Sequence, residues 1–237
     1  MPPPHDGHGG PGAAAGVPWM KQPVRHLAAA LEMPARPLTA SEALALLLSI
    51  LGSPFLTPLY TAVAIVGALA ANRRQFLLWI SLIGIFFVGS ALSFVVVQVL
   101  RGEISDLHVS EPSQRQGAFT VAVCSSIAGT FGLWWLEVPW MLVALGSSFA
   151  MQGIIFSVMT RCDKVSMHVA VTASCVTALV LLFGWSAAPL VGILPAQGWA
   201  RIYRGRHTIR QVVTGAVVAP PLTLLTLLPW WALGLIA

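Results

Sequence analysis

The sequence predicts an all-α fold, a polytopic helical membrane bundle of about six or seven transmembrane helices, and three observations carry that prediction. Of 237 residues, 57% are hydrophobic and 9% charged, with a mean hydropathy of +0.81, whereas a soluble domain carries about 25% charged residues. Asp, Glu, Lys and Arg are absent from Ala43 to Asn72, Gln75 to Leu100, Val165 to Ala200 and Gln211 to Ala237, and Glu137 alone interrupts Gln116 to Thr160. None of these runs shows the polar and apolar alternation of a membrane β-barrel.

The elements follow in order. Residues 1–38 read as a disordered and interfacial segment and 39–237 as the transmembrane domain. The first 20 residues are rich in Pro, Gly and Ala, with His5 and His8, a composition that does not pack. Their lack of an early apolar run gives no expectation of a cleaved secretory signal. Lys21, Arg25 and His26 beside Leu27, Leu31 and Met33 suit a segment lying along the membrane surface. Thr39-Ala-Ser-Glu42 then reads as a capping box opening the first span.

A spanning helix needs about 20 apolar residues at about 1.5 Å each. The first, second and last charge-free stretches therefore hold one span apiece, and the other two hold a pair each. Turns are expected at Glu137 and Pro139 and between Gly184 and Pro189. The reading is seven helices at roughly 42–71, 75–100, 117–136, 139–160, 166–184, 187–203 and 210–235. Trp134, Trp135, Trp140, Trp230 and Trp231 suit interface belts.

Cys124, Cys162 and Cys175 are odd in number and form no CxxC pair, so neither a disulfide framework nor a metal site is expected, and no cofactor is implied. They read as small packing residues. The basic residues sit at membrane boundaries instead of on a soluble face, which speaks against a nucleic-acid partner.

Beyond the N-terminal segment, nearly all the ionisable residues gather in three islands, Arg101 to Arg115, Arg161 to His168 and Arg201 to Gln211, each with one histidine. The islands follow the second, fourth and sixth spans. An even number of crossings returns the chain to its starting face, so all three share one side with the N-terminus and are free to converge on one pocket. That pocket is cationic: Arg101, Arg115, Arg161, Lys164, Arg201, Arg204, Arg206 and Arg210 stand against Glu103, Asp106, Glu111 and Asp163. Guanidinium groups bind phosphate in bidentate fashion, so an anionic headgroup is the natural ligand. The plain alternative is that these charges flank helices, snorkel to the interface and set topology. With only Arg73 and Arg74 on the other side, the positive-inside rule makes the island face cytoplasmic.

Two islands carry a recognisable spacing. Trp199-Ala-Arg201-Ile-Tyr-Arg-Gly-Arg-His207-Thr-Ile-Arg-Gln211-Val-Val-Thr-Gly215 resembles the third motif of the type 2 phosphatidic acid phosphatase (PAP2) superfamily, Ser-Arg, five residues, His, three residues, Asp. Lys164-Val-Ser166-Met-His168-Val-Ala resembles the second motif, Pro-Ser-Gly-His. Glu103 to Gln116 is similar to the first-motif region of a prokaryotic subgroup with an Ile-Ser-Asp signature and a terminal Arg-Pro. The resemblance covers roughly residues 75–235, with the three motifs in order.

It implies a divergent membrane phosphatase of a bacterial-type plasma membrane, acting on a phosphorylated lipid of isoprenyl or phosphatidic acid type. His207 would attack phosphorus and form a phosphohistidine, and His168 would protonate the leaving group. Arg201, Arg115 and Ser166 would hold the phosphate oxygens, and Gln211 would orient the nucleophile. Arg201 and His207 are six apart, so a turn at Gly205 must bring them together, whereas His207 and Gln211, four apart, would share a helix face. Taken singly, His168 also fits a lone interfacial histidine, Ser166 a helix cap, and Lys164, Arg204, Arg206 and Arg210 lipid-headgroup anchors.

The departures from the family pattern are specific. Gln211 stands where the family has Asp, accepting a hydrogen bond but supplying no charge. Met167 replaces a Gly that lets backbone approach the phosphate, and Val165 replaces Pro. The first-motif Lys is His108 or Glu103 depending on the alignment, and Gln116 follows Arg115 in place of Pro. These departures motivate a second expectation, a catalytically weakened or inactive lipid-phosphate binder. A transporter or channel fits the helix count but lacks the midplane ionisable groups of transport pathways.

Overall fold

Thr39 opens the first helix as its capping box predicts. Its hydroxyl accepts the Glu42 N–H and the Glu42 carboxylate accepts the Thr39 N–H at 2.9 Å. The computed structural model describes residues 36–107, 109 and 111–236, so the reading of 1–35 and the position of His108 lie outside the described residues. Helix α1 (Ala40–Leu51) does not run on to residue 71 as the sequence reading had it. It breaks after Leu51 and resumes as α2 (Leu56–Leu69), bent by 54°. Pro54 has no N–H to donate and disfavours helical backbone at Ser53. The break exposes the Gly52 carbonyl, which accepts the Gln197 side-chain amide in the space that Gly52 leaves open.

The second span is α3 (Arg73–Ile83) and α4 (Ser90–Leu100), joined through a π-helical turn at Gly84–Gly89. After the first island come α5 (Arg115–Trp135) and α6 (Trp140–Cys162). They reverse at a Schellman turn. The Glu137 N–H bonds Trp134 O at 3.0 Å, the Val138 N–H bonds Leu133 O at 3.3 Å, and Val138 and Leu133 are buried in one cluster. Glu137 holds φ +52°, a left-handed conformation that costs a residue with a side chain about 1–2 kcal/mol.

Helix α7 (Met167–Phe183), a 3₁₀ segment (Gly184–Gly192), α8 (Ile193–Tyr203) and α9 (Ile209–Ala232) complete the bundle. Five apolar helical stretches are long enough to cross a bilayer, 73–100, 115–135, 140–162, 167–203 and 209–232, and the bent pair α1/α2 makes a sixth. The 37-residue stretch 167–203 would measure about 55 Å if straight, against a hydrocarbon core of about 30 Å. It doubles back instead, beginning at Gly184 (φ +65°), because both of its ends reach the same charged cluster.

Helix α9 packs along α7 and α6, α5 along α6 and α4, α2 along α7, and α1 along α8. Gly215 is what lets α9 lie against the start of α7: a Cβ there would stand 2.9 Å from Ser166 O. Inside the bundle, Gln152 donates to Ser148 Oγ (3.0 Å) and accepts from Ser174 Oγ (2.6 Å), while Ser148 bonds Thr226 (2.5 Å), joining α6, α7 and α9. Such bonds between membrane helices contribute roughly 0.6–2 kcal/mol each. Ile85, Ile127, Phe131, Val158, Val217 and Leu225 point outward and exposed, the surface expected of helices facing lipid.

Candidate functional site

The site is built by three loops at one end of the bundle. Helix α8 ends at Tyr203, and the chain turns at Gly205, whose φ of +64° suits a residue without a side chain. The turn returns two N–H groups to one carbonyl: Arg206 N and His207 N bond Arg201 O at 3.0 and 3.3 Å. The six-residue spacing is thus closed as the sequence reading required, and Arg201 and His207 are both buried, at 2% and 8% exposure.

His207 does not share a helix face with Gln211, which corrects the reading drawn from their spacing. It precedes the N-cap of α9, Thr208, and Gln211 is the third residue of that helix. The contact forms by another route. Gln211 Oε1 accepts the Thr208 N–H (3.2 Å) and faces His207 Nδ1 at 3.1 Å, while Thr208 Oγ1 accepts the Gln211 N–H (3.4 Å). The capping box therefore fixes the amide oxygen toward the imidazole, since the Thr208 backbone N–H can only donate. Nδ1 then carries the proton, and Nε2 keeps its lone pair.

The second loop is tied to this assembly by its backbone. Ser166 N donates to Gln211 O at 3.2 Å, placing the start of α7 against the start of α9. Ser166 is the N-cap residue of α7, yet its side chain caps nothing, and its hydroxyl is buried without a hydrogen-bond partner among the described residues. His168 lies in the first turn of α7 and is buried at 2% exposure. Asp163 pairs with Arg210 at 2.8 Å, an exposed bridge joining the second and third islands and worth about 0–1 kcal/mol.

Arg115, the first residue of α5, closes the arrangement. Its Nε donates to Val109 O at 2.8 Å and its Nη1 to Val165 O at 3.3 Å, so one buried guanidinium clamps the first and second islands together. Val109 holds φ +46°, a strained conformation for a β-branched residue. Gln116 holds α5 to α6 by donating to Ser157 O (3.2 Å) and accepting from Arg161 Nε (3.2 Å).

Electrostatics place all three islands around one point. Burial first, then the Arg201 cation, push the His207 imidazole down to about 3. Lys164 and Arg115 act in the same direction, and the Gln211 hydrogen bond opposes them. The Lys164 ammonium is likewise held below its ordinary value, by burial and then by Arg115, with Arg201 and Arg206 adding to the effect and Glu111 opposing it. His207 is therefore a neutral imidazole in a field of cations, a setting that an anion would relieve.

The sequence reading counted Lys164 in the cationic pocket and, taken singly, as a headgroup anchor; the structure sets it among Arg115, Arg201 and Arg206. No local spacing signals that role. The Thr208 to Gln211 capping box was legible as T-x-x-Q but went unread. Among the described residues, no three His, Cys, Asp or Glu side chains gather as a metal set. An apolar cavity of about 150 Å³ opens beside the cluster; Arg115 and Met167 line it together with Phe55, Phe119, Phe149 and Phe156. No protein-family model, curated protein or solved structure matches the chain.

Proposed function

We propose that this protein is a PAP2-like membrane phosphatase, crossing the bilayer six or seven times, that hydrolyses a phosphomonoester or diphosphate of an isoprenyl or phosphatidic acid type lipid. One observation carries the reading: His207 stands as a buried, neutral imidazole, oriented through Nδ1 by Gln211, where cations from three separate loops converge. A polyanionic phosphate fits that field. The apolar cavity bordering Arg115 supports a hydrocarbon tail on the same ligand.

In this reading Arg201, Arg115 and Lys164 neutralise the phosphate oxygens, and the buried Ser166 hydroxyl donates to one of them. His207 Nε2 attacks phosphorus, the bond from phosphorus to the leaving oxygen breaks, and His168 gives that oxygen its proton. Water, losing a proton to His168, then hydrolyses the phosphohistidine and releases phosphate. Lys164 supplies the charge for which the first island has no Lys. By the count of basic residues, the site opens to the cytoplasm. Phosphate release from a panel of lipid phosphates in detergent tests the proposal: His207→Ala abolishes it, and activity surviving that change would remove His207 from the mechanism.

A second reading, a lipid-phosphate binder with little or no turnover, is favoured by one specific feature, the neutral amide of Gln211 beside His207. It keeps the anion site and predicts saturable binding of lipid phosphate without release.

A further inference from the structure

At the end of the bundle away from the anion cluster, α5 and α6 reverse, and Trp134, Trp135, Glu137 and Trp140 line one concavity of about 520 Å³ floored by Val138 and Val143. The rings are held in place. Trp134 and Trp135 lie 6.5 Å apart at 63° and both pack on Phe131, while Trp140 packs on Trp230 at 5.9 Å. Their outer faces remain accessible, at 47%, 71% and 41% exposure for Trp134, Trp135 and Trp140.

Glu137 is the one carboxylate between Gln116 and Thr160, and no cation among the described residues pairs with it. That includes Arg73 and Arg74, which open α3 on the same face. Its backbone sits at φ +52°, where the Schellman turn would be better served by glycine. A residue kept in a conformation that opposes it, at a concave surface, points to a role for its side chain.

We propose that this concavity binds a quaternary or primary ammonium group of the choline or ethanolamine type. Aromatic faces attract a cation through their quadrupole and also pack against its methyl groups, and one carboxylate balances its charge. A metal ion is a poor fit, because a hard divalent cation takes six or more oxygens and the concavity offers one side chain that supplies them. The ammonium group has two sources, a zwitterionic lipid headgroup at the bilayer surface or a soluble cation. This site is independent of the phosphatase reading, since it uses none of its residues.

The test uses the full chain in a maltoside micelle, titrated calorimetrically with choline, with tetramethylammonium and with the neutral choline isostere 3,3-dimethyl-1-butanol. A parallel sample, incubated with phosphatidylcholine and phosphatidylglycerol, is read by native mass spectrometry. The two cations bind saturably and the neutral isostere does not; or, where the headgroup alone is recognised, phosphatidylcholine is retained over phosphatidylglycerol without free choline binding. Glu137→Gly, which suits the left-handed backbone and so keeps the fold, and Trp140→Leu each weaken the observed binding about tenfold. Equal binding of the neutral isostere, affinity unchanged in both variants, or no saturable cation binding together with equal retention of the two lipids overturns the proposal.

Discussion

On the phosphatase reading proposed above, replacing Gln211 by Glu isolates the feature that would most separate an efficient enzyme from a weak one. Gln211 Oε1 lies 3.1 Å from His207 Nδ1 and 3.2 Å from Thr208 N. Glutamate is isosteric, so both donors keep their acceptor, and Thr-x-x-Glu is the stronger form of the capping box at the start of α9. Aspartate, the residue at this place in the PAP2 motif that the sequence resembles, is a methylene shorter and would fall short of that contact. A full charge about 4 Å from the imidazolium formed in the reaction is worth about 4 kcal/mol at an effective dielectric of about 20. Allowing for the new carboxylate's own desolvation leaves about 2–4 kcal/mol, or roughly 30- to 1000-fold in rate. The comparable Asp to Asn change in a serine protease triad costs about 10⁴. The assay is single-turnover phosphate release from the best lipid phosphate in the panel, run across pH. The added carboxylate also moves the His207 titration up from about 3 toward the ordinary imidazole value of about 6.5, so an acid limb enters the profile. An unchanged rate and an unchanged profile in a folded Gln211→Glu protein would refute the idea that the missing charge limits the reaction.

The wild-type protein should behave differently with acid. His207 stays unprotonated down to about pH 3, so on the phosphatase reading kcat/KM would lose no nucleophile between pH 7 and pH 5, which a pH–rate profile checks. The same depressed value lowers stability in acid. The unfolded chain takes up this proton below about 6.5 and the folded chain does not, so the contribution is whole above 6.5 and lost as pH falls toward 3, by about 2 kcal/mol at pH 5. Thermal midpoints in detergent at the two pH values measure it. Gly215→Val drives a side chain toward Ser166 O, which a Cβ alone would already approach to 2.9 Å. It should cost about 1–3 kcal/mol, lower the thermal midpoint and impair anion binding together, because Ser166 and Gln211 are joined at that contact.

The all-helical architecture, with helices long and apolar enough to cross a membrane, was legible because it rests on composition and run length. The Thr39 capping box and the Glu137 reversal were legible for a similar reason, since each is a local arrangement of neighbours in sequence. The break in the first span was misread although Gly52 and Pro54 announce it, because a charge-free run was given more weight than the backbone chemistry inside it. Within the site, the Gly205 turn followed from the six-residue spacing of Arg201 and His207. The geometry of Gln211 did not follow from spacing, because His207 lies outside the helix and meets the amide through the capping box. Lys164 was grouped with the other island cations only through the count of crossings. Its company is Arg115 and Arg201, 49 residues before it and 37 after it, and only the folding of α5, α7 and α8 brings them to it.

The central claim is that residues from three separate loops surround one anion with His207 at its edge. Nitrogen-15 NMR of histidine-labelled protein, titrated with orthovanadate, tests it most directly. The account predicts a saturable shift of the His207 Nε2 resonance and a rise in its titration, both lost in Arg201→Ala. A His207 resonance unmoved at millimolar vanadate, or moved equally in Arg201→Ala, would contradict it.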